Sequence, residues 1–167
     1  YHYTECKNIM NVLCNNKKSS FKYSFIKKIE AGLVLSGWEV KSLKDGNGQI
    51  SESYISITKD EIFLCNAHIK IVNMKNTSSN QNPTCKRKLL LNRKEINMLK
   101  GQVSQKGLTI VPIRLYSKKG IIKIEIALAK GKKLYDKRQD EKNKDWKRQK
   151  DRLCLLYTSD AADERNS

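Results

Sequence analysis

The stretch "LTIVPIRLYSKKGIIKIEIALA", residues 108–129, decides the fold class of this chain. Both of its arms are rich in Ile, Val and Leu, and the second arm alternates apolar with polar residues, which is typical of half-buried β-strands. "SKKG", Ser117–Gly120, lies between the arms as a polar turn, so the stretch predicts a β-hairpin. Pro112 has no backbone N–H, and its strand is therefore expected to be an edge strand or to be bulged at that point.

Other stretches repeat this pattern. "SYISITKDEIFLCNAHI", residues 53–69, predicts a second hairpin, because two β-rich arms flank the polar turn "TKDE". "FKYSFIKKIEAGLVLSGWEV", residues 21–40, begins with β-type residues and then contains Gly32 and Gly37, which we interpret as bend or bulge positions. The sequence has no internal repeat and no alternation of strands with long helices. A parallel, doubly wound sheet is therefore not expected.

One segment predicts a helix. In "LNRKEINMLKGQV", residues 91–103, the apolar residues fall near one helical face, Asn92 is a suitable N-cap, and Glu95 follows at the spacing of a capping box. Many short strands with one clear helix predict a mainly β fold with flanking helices. The architecture that we expect is a small, closed or partly closed β-barrel like the OB-fold.

The composition changes along the chain and predicts its organisation. We expect a disordered or partial N-terminus over residues 1–15, a barrel over 16–130, a basic tail over 131–153 and a non-native extension over 154–167. The extension, "CLLYTSDAADERNS", turns acidic and small where the preceding residues are basic, and it resembles translated sequencing adapter. A native flexible C-terminus is the alternative.

The charge of the chain points to its class of partner. The sequence has 34 Lys plus Arg against 17 Asp plus Glu, a net charge of +17, which is far beyond what solubility needs. Such a charge concentrates polyanions around the protein and speeds encounter with them, so nucleic acid is the leading partner. An anionic membrane surface ranks second. The apolar runs are strand-like and well short of the roughly 20 residues of a spanning helix, so we expect no membrane partner.

Catalytic and metal-binding patterns are weak. The cysteines, Cys6, Cys14, Cys65, Cys85 and Cys154, are scattered without a Cys-x-x-Cys pair, and only His2 and His68 could assist them. We therefore expect no metal, no cofactor and reduced thiols in a cytosolic protein. The sequence has no His-Glu-x-x-His motif and no Walker loop, since "KDGNGQ" lacks the required spacing. No catalytic residue is assigned, and we expect a protein that is not an enzyme.

Basic clusters stand at the ends of the predicted elements. "NNKKSS" precedes the first strand, "CKRKLLLN" leads into the helix, and "AKGKK" follows the last strand. Together they could form one face that contacts phosphates. Tyr23, Trp38 and Tyr54 could stack on bases if they are exposed, although a core position is the favoured interpretation for Trp38.

The tail is the most informative segment. Between Lys130 and Arg152 it has eleven Lys or Arg, and its only sizeable apolar side chains before Leu153 are Leu134, Tyr135 and Trp146. Such a segment cannot offset the entropy cost of ordering its own backbone. Its Lys, Glu, Gln, Asp and Arg without proline nevertheless tolerate a helix. We predict a tail that is disordered when free and helical against a highly charged surface, above all RNA.

Several motifs in this order resemble one family. "EAGLVLSGWEVKSLKDGNGQISESYISI", "NAHI", "KRKLLLNRKEI", "GLTIVPIRLY" and "ALAKGKKLYDKR" are similar to the SsrA-binding proteins, the small protein B family of bacteria and some organelles. The resemblance extends from about Asn16 to Arg152. The pairing of "GWEVKSL" with the later "GKKLYDKR" is its most specific feature.

The resemblance implies a function. Members of the family have an OB-like barrel, are not enzymes, and bind the tRNA-like domain of tmRNA. They accompany tmRNA into ribosomes stalled on messages that lack a usable stop codon, in the rescue process called trans-translation. Their tail enters the empty mRNA channel past the decoding centre and becomes helical there. The expected partners are thus tmRNA and the small ribosomal subunit, and we expect a monomer in the cytoplasm of a bacterium or in an organelle.

The resemblance also assigns residues. The RNA-binding set that it implies is Asn16, Lys17, Lys18, Glu30, Arg87, Lys88, Leu90, Asn92, Gly131, Lys132 and Lys133. The set that it implies for the decoding centre and the channel is Tyr135, Asp136, Lys137, Arg138 and Trp146, with Tyr135 stacking on a base. Two other hypotheses stay open from the residues themselves. One is a generic RNA-binding barrel without tmRNA specificity, and the other is a metal-dependent nuclease.

Overall fold

A computed structural model describes residues 10–72 and 81–164, with side chains to residue 155. Within these residues the chain forms nine strands and four helices. The strands are β1 (Asn11–Asn15), β2 (Tyr23–Leu33), β3 (Gly48–Gln49), β4 (Tyr54–Thr58), β5 (Glu61–Cys65), β6 (His68–Ile69), β7 (Arg87–Leu90), β8 (Thr109–Lys118) and β9 (Ile121–Gly131). The helices are α1 (Lys17–Lys22), α2 (Gly37–Lys44), α3 (Arg93–Lys106) and α4 (Leu134–Glu164).

Seven strands form one antiparallel sheet in the order β1-β8-β9-β2-β7-β5-β4. The long strand β2 connects its two halves, because it pairs with β9 over most of its length and with β7 at Gly32 and Leu33. At the far end of the sheet β4 comes into contact with β8, so the sheet curls back on itself. The predicted mainly β, OB-like barrel with flanking helices is confirmed.

The core lies inside this curl. Alternate residues of β9 point into it, including Ile122, Ile124 and Ile126, whereas Lys123 and Glu125 between them remain outside. Leu43 from α2 and Leu99 from α3 pack into the same cluster and are fully buried. The alternation that predicted the strand is therefore the alternation between core and surface.

The predicted hairpins are confirmed, and their turns have a common geometry. Lys59 and Asp60 between β4 and β5, and Lys119 and Gly120 between β8 and β9, all have positive φ. A two-residue turn with both central residues at positive φ matches the right-handed twist of the strands that it joins. The predicted irregularity at Pro112 is also confirmed, because the β8–β9 register shifts between Pro112 and Arg114.

The helices confirm one prediction and correct another. Helix α3 begins after Asn92 with the predicted capping box, in which the Glu95 carboxylate accepts a hydrogen bond from the Asn92 backbone N–H at 3.1 Å. Gly37, which we interpreted as a bend or bulge, is instead the first residue of α2. Ser36 and Glu39 form a capping box there, a signal that the sequence contained.

The N-terminal boundary also needs correction. The predicted disorder over residues 1–15 is wrong for Asn11–Asn15, which form β1 and pair with β8. Cys14 is buried in this strand and contributes to the core, which explains the order. Residues 1–9 and 73–80 lie outside the described residues.

The chain divides into two compact units; the first ends at Gly131 and the second begins at Lys132. The second unit contains α4, which is helical from Leu134 and continues past residue 153 to Glu164. We predicted a tail that is disordered when free and helical against RNA, and α4 lies where the helical form was predicted. Its residues have good helix propensity, and Asp145 and Arg148 form an ion pair at helical spacing. The predicted mobility of the tail in solution stays a prediction.

Candidate nucleic-acid interface

Four of the predicted RNA-binding residues meet in one groove, which we call the β7–α3 groove. These are Glu30, Lys88, Leu90 and Asn92, which come from β2, β7 and the start of α3. The groove is lined by Glu30, Asp60, Glu61, Lys88, Leu89, Leu90, Leu91, Asn92, Arg93, Glu95 and Ile96. It combines an exposed apolar side chain, Leu90, with cationic, amide and carboxylate groups, which is the chemistry that RNA bases and phosphates require.

Glu30 on β2 is held in place by two donors, one from β8 and one from the neighbouring strand β9. The Tyr116 hydroxyl donates a short hydrogen bond to one of its carboxylate oxygens, and the Lys123 ammonium donates to the other at 2.7 Å. These hydrogen bonds, that from Lys123 above all, lower the pKa of Glu30. Burial and the Glu30 carboxylate raise the pKa of Tyr116. Glu30 is therefore an oriented, ionised acceptor at the edge of the groove.

Ion pairs fasten the β4–β5 hairpin to the helix that forms the opposite wall. Asp60, in the hairpin turn, accepts from Lys100 at 2.8 Å and from Arg93 at 3.1 Å, both on α3. These two cations, Lys100 foremost, lower the pKa of Asp60. On the adjacent strand, Lys88 donates to Glu61 at 2.6 Å. Charged pairs thus join the hairpin turn to α3 and β7 to β5 around the groove.

The structure removes Arg87 from the predicted RNA-binding set, because its side chain is buried. Its side chain is only 1% exposed, and its Nε donates to the buried Glu39 carboxylate at 2.8 Å. Its remaining nitrogens donate to the backbone carbonyls of Ala67, Cys85 and Pro83. Every end of the guanidinium is engaged inside the protein, so Arg87 fastens α2 to the chain around β6 and β7 and presents no charge to a ligand.

A second groove, the α1–β4 groove, lies between α1, β4 and β8. It is lined by Asn16, Lys18, Ser19, Lys22, Tyr23, Ser51, Glu52, Ser53, Tyr54, Ile55, Thr109, Ile110, Val111 and Pro112. Tyr54 is 55% exposed, and Lys18 donates to Glu52 at 2.6 Å. That hydrogen bond lowers the pKa of Glu52. Trp38 packs against the core, as its favoured interpretation held.

Asn16 is the second residue that the structure removes from the predicted RNA-binding set. It lines the α1–β4 groove but is buried, and its side chain is used as the N-cap of α1. Its Oδ1 accepts from the Ser19 backbone N–H at 3.2 Å, while its Nδ2 donates to the Pro112 carbonyl at 3.1 Å. The amide therefore positions the exposed Lys17 and Lys18 and joins the bulge of β8 to α1, without itself facing a ligand.

The remaining predicted residues lie at and after the end of the barrel. Gly131 ends β9, and Lys133 is exposed just before α4. Lys132 is largely buried and forms an ion pair with Asp140. In the first turns of α4 Lys137 is half-buried and Asp136 and Arg138 are exposed. Tyr135 and Trp146 are 74% and 68% exposed, so both aromatic rings are available for stacking.

Other site types are not supported among the described residues. In residues 10–72 and 81–155, no three His, Cys, Asp or Glu side chains come together in a group that could hold a metal ion. None of the described helices has the length and apolar character needed to cross a bilayer. Burial raises the pKa of the Cys14 thiol, and it is also the main cause that raises that of Cys85, so neither thiol is activated.

Sequence reasoning missed the partners of these residues. Nothing in the sequence joins Glu39 to Arg87, or Glu30 to Tyr116 and Lys123, because each contact crosses 48 residues or more. These contacts follow from strand register and from the packing of α2 on the sheet, and local sequence pattern specifies neither. Arg87 and Asn16 were assigned to the RNA-binding set by resemblance to the family. The resemblance did not indicate that both side chains are buried.

Comparison with known proteins places the chain in a family. The family model for SmpB protein matches residues 13–155. SsrA-binding proteins of Ruthia magnifica and Burkholderia lata are 51% and 50% identical over 146 residues, 87% of this chain and 88% and 99% of theirs. That of Agrobacterium fabrum is 49% identical, over 87% of this chain and 91% of its own length.

A solved structure is also similar. It is described as "tmRNA-SmpB: a journey to the center of the bacterial ribosome" and aligns with a TM-score of 0.59 at 38% identity. The alignment covers 72% of this chain and 84% of the other. The sequence resemblance, the family model and the shared fold agree, and the chain belongs to the SmpB protein family.

Proposed function

We propose that this protein binds the tRNA-like domain of tmRNA and delivers it to stalled ribosomes for trans-translation. The observation that carries the proposal is the β7–α3 groove, which gathers Glu30, Lys88, Leu90 and Asn92 from separate segments of a strongly basic chain. The relatives named above are SsrA-binding proteins, and the similar solved structure is one of tmRNA-SmpB. The alternative is a generic RNA-binding module without tmRNA specificity.

The groove residues divide the recognition among them. Lys88 contacts a phosphate, and such contacts supply affinity and fix orientation without reading sequence. Leu90, 54% exposed, packs against a base or ribose, and the Asn92 amide bonds a base edge. The oriented Glu30 carboxylate accepts from a base amino group, because an ionised carboxylate can only accept. Their fixed arrangement favours a folded RNA over a flexible single strand.

The tail performs the second half of the function. We infer that α4 enters the empty mRNA channel, where its many cations face ribosomal RNA. Tyr135 stacks on a base of the decoding centre, Asp136, Lys137 and Arg138 engage the ribosome, and Trp146 lies deeper in the channel. A message in the channel excludes the tail, so only vacant ribosomes are selected.

The proposed role is that of an adapter without a chemical step, acting as a monomer in the cytoplasm and needing no cofactor. The free energy of RNA binding comes from phosphate contacts and base stacking, which require no activated nucleophile or metal. A metal-dependent nuclease is the competing class, and RNA cleavage is the observation that distinguishes it.

The test compares three RNAs at one fixed salt concentration. We expect the tRNA-like domain of tmRNA to bind much more tightly than ordinary tRNA or a single strand, and all three to remain intact. Equal affinity for the three would favour the generic module and overturn the proposal. Metal-dependent cleavage of any of them would replace it with the nuclease hypothesis.

A further inference from the structure

Two lysines of the barrel that are predicted to bind phosphate, Lys18 and Lys88, each form an ion pair with a glutamate of the same chain. Lys18 on α1 donates to Glu52 in the connection between β3 and β4, and Lys88 on β7 donates to Glu61 on β5, both at 2.6 Å. All four side chains are substantially exposed, with values of 60% and 64% for the first pair and 44% and 48% for the second. Neither pair contributes to the core, so neither is explained by packing.

The fold fixes the position of both carboxylates. Lys88 stands opposite Phe63 in the β5–β7 ladder, and Glu61 lies two residues along β5 at the diagonal position that a long side chain reaches. Glu52 also accepts at its backbone carbonyl a hydrogen bond from Asn66, at 3.1 Å, which anchors its segment. The backbone thus places each carboxylate within reach of its lysine.

The charge balance makes these partners notable. With 34 basic residues and 17 acidic ones, at most half of the cations can have an acidic partner of their own. Glu61 lines the β7–α3 groove and Glu52 lines the α1–β4 groove, each beside the lysine that is expected to meet phosphate. The acidic residues are thus placed where they compete with an RNA ligand.

We propose that Glu52 and Glu61 are specificity-determining residues, intramolecular anions that an incoming phosphate must displace. The inference rests on the proposed function. A phosphate that reaches Lys18 or Lys88 gains a contact only by breaking an existing pair, and the freed carboxylate then repels it. A folded RNA that fits the surface recovers part of this loss, because it presents a ribose hydroxyl or a base amino group to the freed carboxylate in a fixed position. A flexible strand presents no such group in a fixed position, so it bears the whole loss and the carboxylates discriminate against it.

The pairs also change the expected salt dependence. A carboxylate beside the lysine offsets part of its charge, so the lysine neutralises an RNA phosphate less completely and fewer of the counterions condensed on the RNA are released. Removing the carboxylate should therefore steepen the slope of log affinity against log salt. The slope is a readout that a merely structural role for Glu52 or Glu61 would not move.

The test uses Glu52→Gln and Glu61→Gln in the full chain, with Asp45→Asn as the matched control. Asp45 is an exposed carboxylate at the end of α2 that lines neither groove, so its loss changes the net charge equally. Affinity is measured across a salt series for the tRNA-like domain, ordinary tRNA and single-stranded RNA. Thermal unfolding of each variant should match that of the unaltered protein.

We expect each glutamine variant to bind tRNA and single-stranded RNA about two- to fivefold more tightly than Asp45→Asn does, the range that an exposed ion pair is worth. The slope for single-stranded RNA should steepen by up to about 0.7. The tRNA-like domain should gain less, so that discrimination falls. An equal gain for all three RNAs, or a gain no larger than that of Asp45→Asn, would overturn the inference. Unaltered protein that binds the three RNAs equally would instead refute the proposed function.

Discussion

The barrel and the C-terminal helix are held by different physics. In the barrel, residues far apart in sequence bury a continuous apolar cluster, in which Ile62, Leu64, Ile124 and Ile126 have no exposed surface. In α4, by contrast, Leu134, Tyr135, Trp146 and Leu153 are each more than 60% exposed. Hydrophobic burial stabilises the first region, whereas local hydrogen bonds and helix propensity support the second.

The contrast matches a division of labour. A surface that recognises one folded RNA benefits from a prebuilt groove, because ordering the site on binding would cost affinity. A segment that senses whether a channel is vacant benefits from low intrinsic order, because contact with the channel then decides whether it is ordered. We propose that the structural difference between the two regions serves this division of labour.

The largest difference should appear in backbone amide exchange. In the free protein we expect the β9 amides around Ile124 to be protected with a free energy close to that of global unfolding. The α4 amides over residues 136–152 should exchange with little protection, because none of the side chains described for α4, residues 134–155, is buried. Exchange measured by mass spectrometry or NMR checks this. Equal protection of β9 and α4 would contradict the proposed difference in stability between the barrel and the helix.

Removing the tail should separate binding from rescue. Truncation after Leu134, or replacement of Asp136, Lys137 and Arg138 with Ala, should leave affinity for the tRNA-like domain within a few fold, because the groove is in the barrel. Tag addition on stalled ribosomes should nevertheless fail. Both are measured on the same protein preparation. Full tagging by the truncated chain, or loss of tmRNA affinity, would contradict the division of labour.

Adjacent residues of β7 sharpen the comparison within the barrel itself. Arg87→Ala leaves the buried Glu39 carboxylate unpaired and should lower the free energy of unfolding by about 3–5 kcal/mol. Lys88→Ala removes an exposed pair and should cost at most about 1 kcal/mol. The same Lys88 variant should weaken RNA binding and reduce the salt slope by less than the roughly 0.7–0.9 of an unpaired lysine, because Glu61 already offsets part of its charge. Denaturant titrations and binding at several salt concentrations measure the two effects, and similar destabilisation by both variants would count against the burial argument.

The smallest effect is expected at Tyr135. Tyr135→Ala should weaken engagement of the stalled ribosome by about 1–3 kcal/mol, the range for stacking of a base on an aromatic ring. Tyr135→Phe keeps the ring and is the matched control, so its tagging activity should be close to that of the unaltered protein. If the phenylalanine variant is as impaired as the alanine variant, the hydroxyl and not stacking is responsible.

The sequence predicted most of the local structure. The β8–β9 and β4–β5 hairpins, the bulge at Pro112 and the capping box of α3 all follow from periodicity, turn composition and caps, which act over a few residues. It also determined the polyanion-binding character through the net charge of +17. Helix α2 could have been predicted too, because Ser36 and Glu39 have the spacing of a capping box. We missed it because we interpreted Gly37 as a bend or bulge.

Only the tertiary structure decided which basic residues face a ligand. Arg87 and Lys88 are neighbours in the same motif, yet the alternation of a strand turns one inward to Glu39 and the other outward to Glu61. Asn16 likewise becomes a cap beside Pro112, 96 residues away. The sequence by itself determined the fold class, the charge and the family, because these depend on local pattern and composition. The orientation and pairing of each side chain depend on strand register and burial, which arise only when distant segments come together.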